Sequence, residues 1–167
     1  MVKTSSGSSG FTLLEAVVSL SILALLSTIL LVGAAAARRQ AVVRSAAQQV
    51  AGFLRETRGL SLNGVKNPGC DEPLNQRRPE CSQYRVDFNP PSEYIRSAVG
   101  GGAVVRGVLP AGAVFSPVQR VTFRYKPPTI EADPATSTTI THGSGSPRWT
   151  VCVTALGSVE VRSGGSC

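Results

Sequence analysis

Few residues in this 167-residue chain have the type and spacing to do chemistry. The one histidine, His142, lies in a Thr/Gly/Ser stretch and reads as a solvated loop residue rather than the base of a nucleophilic triad. Gly100-Gly101-Gly102 lacks the Gly-Lys-Ser/Thr that would complete a phosphate loop. Glu15 and Glu56 stand 41 positions apart on one expected helix, too far to share acid–base work. Asp71, Glu72 and Glu80 flank a Cys-bounded loop beside Arg77 and Arg78, a solvated arrangement rather than a metal site. No enzyme activity, cofactor or metal is expected. What remains is Glu15, a carboxylate at the mouth of a long apolar run, and four cysteines.

The elements around those residues follow from composition. Apolar residues make up 42% and charged residues only 16%, below the usual ~25%. The excess is local: residues 16–37 are 22 uncharged residues in a row, against the ~20 that cross a bilayer core. This excludes a fully soluble cytosolic enzyme. The net charge of +7 is spread along the chain, where a nucleic-acid binder clusters it on one face.

Cys70, Cys81, Cys152 and Cys167 all follow the apolar run and none has C-x-x-C spacing. Two disulfides in an oxidising compartment are the simplest reading, with three pairings open. Local closure, Cys70–Cys81 and Cys152–Cys167, is preferred, because each staples a Gly/Pro-rich stretch.

The first ten residues are small, polar and flexible, with one positive charge at Lys3, and read as a leader. A secretory signal peptide, with Ala34-Ala35-Ala36 as cleavage site, would have an apolar core beyond the usual ~7–15 residues. It would also carry Glu15 where positive charge is favoured. An uncleaved anchor leaves Glu15 equally unexplained. A carboxylate at membrane depth costs on the order of 2.5–3.5 kcal/mol, so it marks a functional site by default. A cut between Gly10 and Phe11 would create an α-amino group at the same depth. The amine of a neighbouring copy could then pair with Glu15 and set the axial register of adjacent helices.

Gly10-Phe11-Thr12-Leu13-Leu14-Glu15 followed by an apolar helix resembles the class III signal of type IV pilins and type II secretion pseudopilins. The resemblance implies that a prepilin peptidase cuts after Gly10 and methylates the amine of Phe11. It also implies that Glu15 contacts an adjacent subunit's amine in a filament. Arg38, Arg39 and Arg44 crowd the far end of the run and leave topology ambiguous on charge alone. The disulfides and the resemblance place the carboxyl-terminal part outside the inner membrane.

Beyond the run, Val43, Ala46, Val50, Phe53/Leu54, Thr57 and Leu60 recur at helical spacing, with Arg39, Arg44, Gln48, Arg55 and Arg58 largely on other faces. One helix over 11–62 is expected, its 11–37 part spanning a membrane and its remainder burying one stripe. Asn63-Gly64 and Asn67-Pro68-Gly69 end it. Ala16, Ser19, Ala24, Ser27, Thr28, Ala34 and Ala37 would let such helices nest closely.

From residue 82 short alternating runs predict strands near 84–88, 94–96, 103–106, 121–125, 138–141, 149–154 and 158–162. The last two form a hairpin through Ala155-Leu156-Gly157. The expected fold is therefore α+β: a leader over 1–10, a long helix over 11–62, and a small antiparallel β-rich head over 63–167. This order resembles the GspH/FimT group of minor pilins and pseudopilins. Some FimT-type pilins bind DNA through a Gly-Arg-x-Arg motif in that hairpin. The corresponding stretch here, Gly157-Ser158-Val159-Glu160, lacks both arginines and carries an acid. A basic patch built from Arg77, Arg78, Arg106, Arg120, Arg124 and Lys126 would be needed instead.

The expected function is a minor structural subunit of a type IV pilus or secretion pseudopilus. The expected partners are other pilin subunits, the prepilin peptidase, the inner-membrane assembly platform and the membrane itself. A DNA-binding competence pilin and a membrane-anchored extracellular binding module are the alternatives.

Overall fold

The computed structural model describes residues 12–63, 83–89, 91–99, 104–116, 119–126, 129–143 and 145–167. The chain divides between Arg38 and Arg39 into two units. A single helix, α1 (Leu13–Leu62), crosses the division.

The first unit is the apolar part of α1. Thr12 caps it: its carbonyl accepts from Ala16 N–H (3.2 Å) and its Oγ1 from Glu15 N–H (3.3 Å). Every side chain described between Leu13 and Ala41 is exposed.

The second unit is the rest of α1 with nine strands among the described residues: β1 (Tyr84–Asn89), β2 (Glu93–Ala98), β3 (Val105–Val108), β4 (Ala113–Ser116), β5 (Arg120–Lys126), β6 (Thr129–Asp133), β7 (Thr136–His142), β8 (Arg148–Val153) and β9 (Val159–Ser163). One antiparallel sheet has the order β3-β2-β1-β5-β6, the other β4-β7-β8-β9. The architecture is α+β and pilin-like.

Alternation decides which side of each strand faces inward. Tyr84, Val86 and Phe88 of β1 are buried, as are Val121 and Phe123 of β5, while the residues between them are more open. Ile140, Val151, Val153 and Val159 come inward from the second sheet. All except Tyr84 join one core with Val43, Ala46, Ala47, Val50, Ala51 and Leu54 of α1. The three alanines of this stripe, Ala46, Ala47 and Ala51, let the sheets approach the helix closely. The expected stripe ends differently: Leu60 is half-buried and Ser61 takes the inner position. Thr57 and Ser61 can be buried because their hydroxyls donate to the carbonyls of Phe53 (2.7 Å) and Thr57 (3.3 Å).

Polar latches complete the helix–sheet contact. Arg96 is buried, stacks 5.1 Å from the Phe53 ring and donates to Glu56 Oε1 at 2.8 Å. Gln49 Nε2 donates to Tyr94 Oη (2.9 Å) and to the Val108 carbonyl (3.3 Å). Burial pushes the Tyr94 phenol above 10.0, and the Gln49 hydrogen bond partly offsets the rise. Gly107 is required beside it, since a Cβ there would lie 2.2 Å from the tyrosine ring.

Two strands fall outside the predicted runs. β4 has only four residues and β6 carries Glu131 and Asp133, so neither shows a long β-branched alternation. The run predicted at 103–106 forms its strand slightly later, at Val105–Val108.

Candidate functional site

The Thr12–Glu15 turn is the site the sequence marks most strongly. Gly10 and Phe11 lie outside the described residues. Thr12 is the cap and Glu15 the third residue of the helix, the spacing of a capping box. The sequence reading missed this local role, although Thr-x-x-Glu before an apolar run is its signature. Helix geometry also favours an anion there, because unpaired N–H groups give the helix start a partial positive charge. Part of the cost of a carboxylate at that depth is thereby met within the chain.

The apolar part of α1 is long and apolar enough to cross a membrane, and its most apolar stretch has no burial. Its large aliphatic side chains between Leu13 and Leu31 are 50–83% exposed. Three of its hydroxyls are satisfied along the helix: Ser21 donates to Val17 O (2.8 Å), Ser27 to Leu23 O (2.7 Å) and Thr28 to Leu25 O (2.8 Å). Such hydroxyls can face lipid or another helix without leaving a polar group unpaired.

Residues 5–36 match the family model described as "Prokaryotic N-terminal methylation motif". The amino terminus is of the prepilin type. The match supports a type IV pilin-like protein, and with the apolar helix it is consistent with anchoring in a membrane. A prepilin-type terminus implies peptidase processing and assembly with other pilin subunits in general, and it fits a structural rather than an enzymatic protein. No curated protein and no solved structure matches the chain.

The other residues singled out by sequence do not converge. Arg106, Arg120 and Arg124 share the outer face of the first sheet, yet each meets an acid there. Arg106 pairs with Glu93 (3.3 Å), Arg120 with Asp87, and Arg124 with Asp133 (3.6 Å). Strand register puts Arg85 and Glu131 on the same face, which among the described side chains carries four arginines and four acids. Arg77, Arg78 and the side chain of Lys126 lie outside the described residues.

The β8–β9 hairpin is held by its own backbone, Gly157 N–H donating to Thr154 O (2.8 Å) and Thr154 N–H to Ser158 O (3.0 Å). Gly157 has φ +70°, and a Cβ there would meet Ile130 at 3.0 Å and Arg58 at 3.3 Å. Arg55 reaches from α1 to the Val159 carbonyl (3.0 Å). The β8–β9 hairpin is thus docked on α1.

The structure joins Cys152 and Cys167 by a disulfide with Cα atoms 5.8 Å apart. The bond and the hydrogen bond from Thr150 Oγ1 to Gly164 O (2.6 Å) hold the last residues across the outer side of β8. That cover buries Thr150 and Cys152 although they point away from the core. Cys70, Cys81, Asp71, Glu72, Glu80 and Gly100-Gly101-Gly102 lie outside the described residues. His142 ends β7 beside Gly112. Among the described residues no group of three or more His, Cys, Asp or Glu could hold a metal ion.

Proposed function

We propose that the chain is a minor pilin or pseudopilin, a structural subunit of a type IV pilus or type II secretion pseudopilus. In this reading residues 1–10 are a leader removed by a prepilin peptidase between Gly10 and Phe11, and the Phe11 amine is methylated. Residues 11–37 hold the subunit in the inner membrane with the 63–167 head on the extracytoplasmic side. The assembly platform then moves it into a filament, near the tip or in the initiating complex, where Glu15 pairs with a neighbour's amine.

The observation that carries the reading is the prepilin motif running directly into a helix whose most apolar stretch has no burial. The DNA-uptake alternative receives less support, because the arginines on the outer sheet face are matched by acids and the hairpin motif lacks its arginines.

The test is the intact mass and amino-terminal sequence of the membrane-extracted protein, with and without reduction. The expected chain starts at methylated Phe11 and gains four hydrogens on reduction. A chain starting at Met1 or near Arg38 would overturn the reading.

A further inference from the structure

Among the described residues of the second unit, every exposed arginine but two has an acid or a carbonyl as partner; the half-buried Arg58 and Arg85 each keep an Nε without a hydrogen bond. On the head, the exposed Arg106, Arg120, Arg124 and Arg162 each face a carboxylate, and Arg55 and Arg148 donate to carbonyls. Arg39 and Arg44 are exposed and have neither kind of partner among the described residues. They come just after the uncharged run that ends at Ala37, with Arg38 beside them in sequence. No acid occurs between Glu15 and Glu56, and Glu56 is engaged by Arg96.

The geometry suits a layer rather than a point. Five residues of helix separate Arg39 from Arg44, about 7.5 Å of rise. The headgroup region of a bilayer is about 5–8 Å deep on each side of the hydrocarbon. Helical side chains lean toward the amino-terminal end of their helix, which favours a common layer for the two guanidiniums. Arg44 lies 5.6 Å from the ring centre of Trp149, which is half-buried against the core. Indole rings and guanidiniums are both favoured at the headgroup level, and a guanidinium can grip a phosphate with two parallel hydrogen bonds.

We propose that Arg39, Arg44 and Trp149 form a collar that binds the phosphate headgroups of anionic phospholipids in the leaflet on the head-domain side. This rests on the membrane-span reading above. Its consequence is that the subunit waits in the membrane with an anionic lipid shell, which must be stripped when the helix leaves the bilayer.

Trp149 is the chain's one tryptophan and reports directly on the collar. The full chain would be placed in phosphatidylcholine vesicles containing some phosphatidylglycerol. A nitroxide quencher is carried either on phosphatidylglycerol or on phosphatidylcholine, and flotation of the vesicles reports insertion. At about 1 kcal/mol per basic residue near an anionic surface, each arginine gives roughly fivefold enrichment. The phosphatidylglycerol-borne quencher should therefore act at a mole fraction at least fivefold lower. Molar salt, with a Debye length of about 3 Å, should remove the difference. The double variant R39Q/R44Q should float normally with the two quenchers equal, while R39K/R44K should keep most of the difference. Equal quenching in the unaltered chain that floats would overturn the collar alone. A difference that grows with the protein-to-lipid ratio would assign the charges to a second copy and also overturn it. Failure to float would overturn the span and the collar together.

Discussion

Replacing Glu15 by glutamine or alanine should move two readouts in opposite directions. Thr12 remains as the cap, through Ala16 N–H on its carbonyl and the residue-15 N–H on its Oγ1, so the helix still starts where it does. What changes is the charge. A carboxylate at the centre of a membrane helix costs about 2.5–3.5 kcal/mol. Glu15 stands in the first turn instead, where the cost falls toward the interface and the macrodipole returns about 0.3–1 kcal/mol, leaving a net burden on the order of 1–2 kcal/mol. Insertion of the variant as a single subunit should therefore be intact or up to ~30-fold more favourable. In a filament the balance reverses. Removing one partner of a buried ion pair costs about 3–5 kcal/mol, because the other charge stays buried alone. That is roughly a hundredfold to a few thousandfold loss in incorporation. Both quantities come from one experiment: immunoblots of the membrane fraction and of sheared filaments from cells expressing each variant. Normal incorporation of Glu15→Gln would refute the pairing of Glu15 with a neighbour's amine. Loss from both fractions would show that Glu15 serves only to form or insert the helix.

Three further outcomes follow from the packing. Leu54→Ala removes a side chain that is 1% exposed from the shared helix–sheet core and should cost about 2–5 kcal/mol in chemical denaturation; a loss below ~1 kcal/mol would mean that residues 43–61 are not part of the head's core. Gly157→Ala places a Cβ 3.0 Å from Ile130 at φ +70° and should cost on the order of 1–3 kcal/mol, whereas the same change at Gly52, which has open space, should be neutral or stabilising. The raised Tyr94 phenol makes a stability contribution that is fully present below about pH 10 and is lost as pH rises through its folded value. Urea melts across that window should show the unaltered chain losing stability relative to Tyr94→Phe, and parallel pH profiles would remove the buried phenol as the cause.

How much of this was legible depended on the range of the forces involved. The Thr12–Glu15 turn, the apolar run and the helical stripe are set by neighbours within a few residues, and their periodicity shows in the chain. Even there Ala47, Ala51 and Ser61 were missed, because small or polar residues carry little hydrophobic signal although close packing needs them. The terminal hairpin was legible from Val151, Val153, Val159 and Val161, which pair as Val151↔Val161 and Val153↔Val159. β4 and β6 were not: each is short and gains its strand geometry from a longer partner, β7 or β5. Nor could composition show that Arg106, Arg120 and Arg124 each meet an acid across a strand, since those pairs join residues 9 to 33 positions apart. The Arg96–Glu56 latch, 40 residues apart, was likewise beyond any local pattern.

The way α1 is used bears on the choice between a filament subunit and an anchored binding module. A module tethered to a membrane is best served by a flexible linker and a head with a core of its own. Here no non-helical residue separates Ala37 from Val43, the first residue of α1 in the core. The helix then supplies Val43, Ala46, Ala47, Val50, Ala51 and Leu54, so the sheets cannot bury their inner faces without it. Polar contacts pin the same segment from both sheets, Arg96–Glu56 and Gln49–Tyr94 on one and Arg55–Val159 on the other. Detaching the head from this helix would expose the core and leave Arg96 without its carboxylate. A tether has no need of such a joint, whereas a subunit drawn out of a bilayer by its helix needs the head to follow without unfolding. The joint therefore favours the filament reading on mechanical grounds that do not depend on the motif.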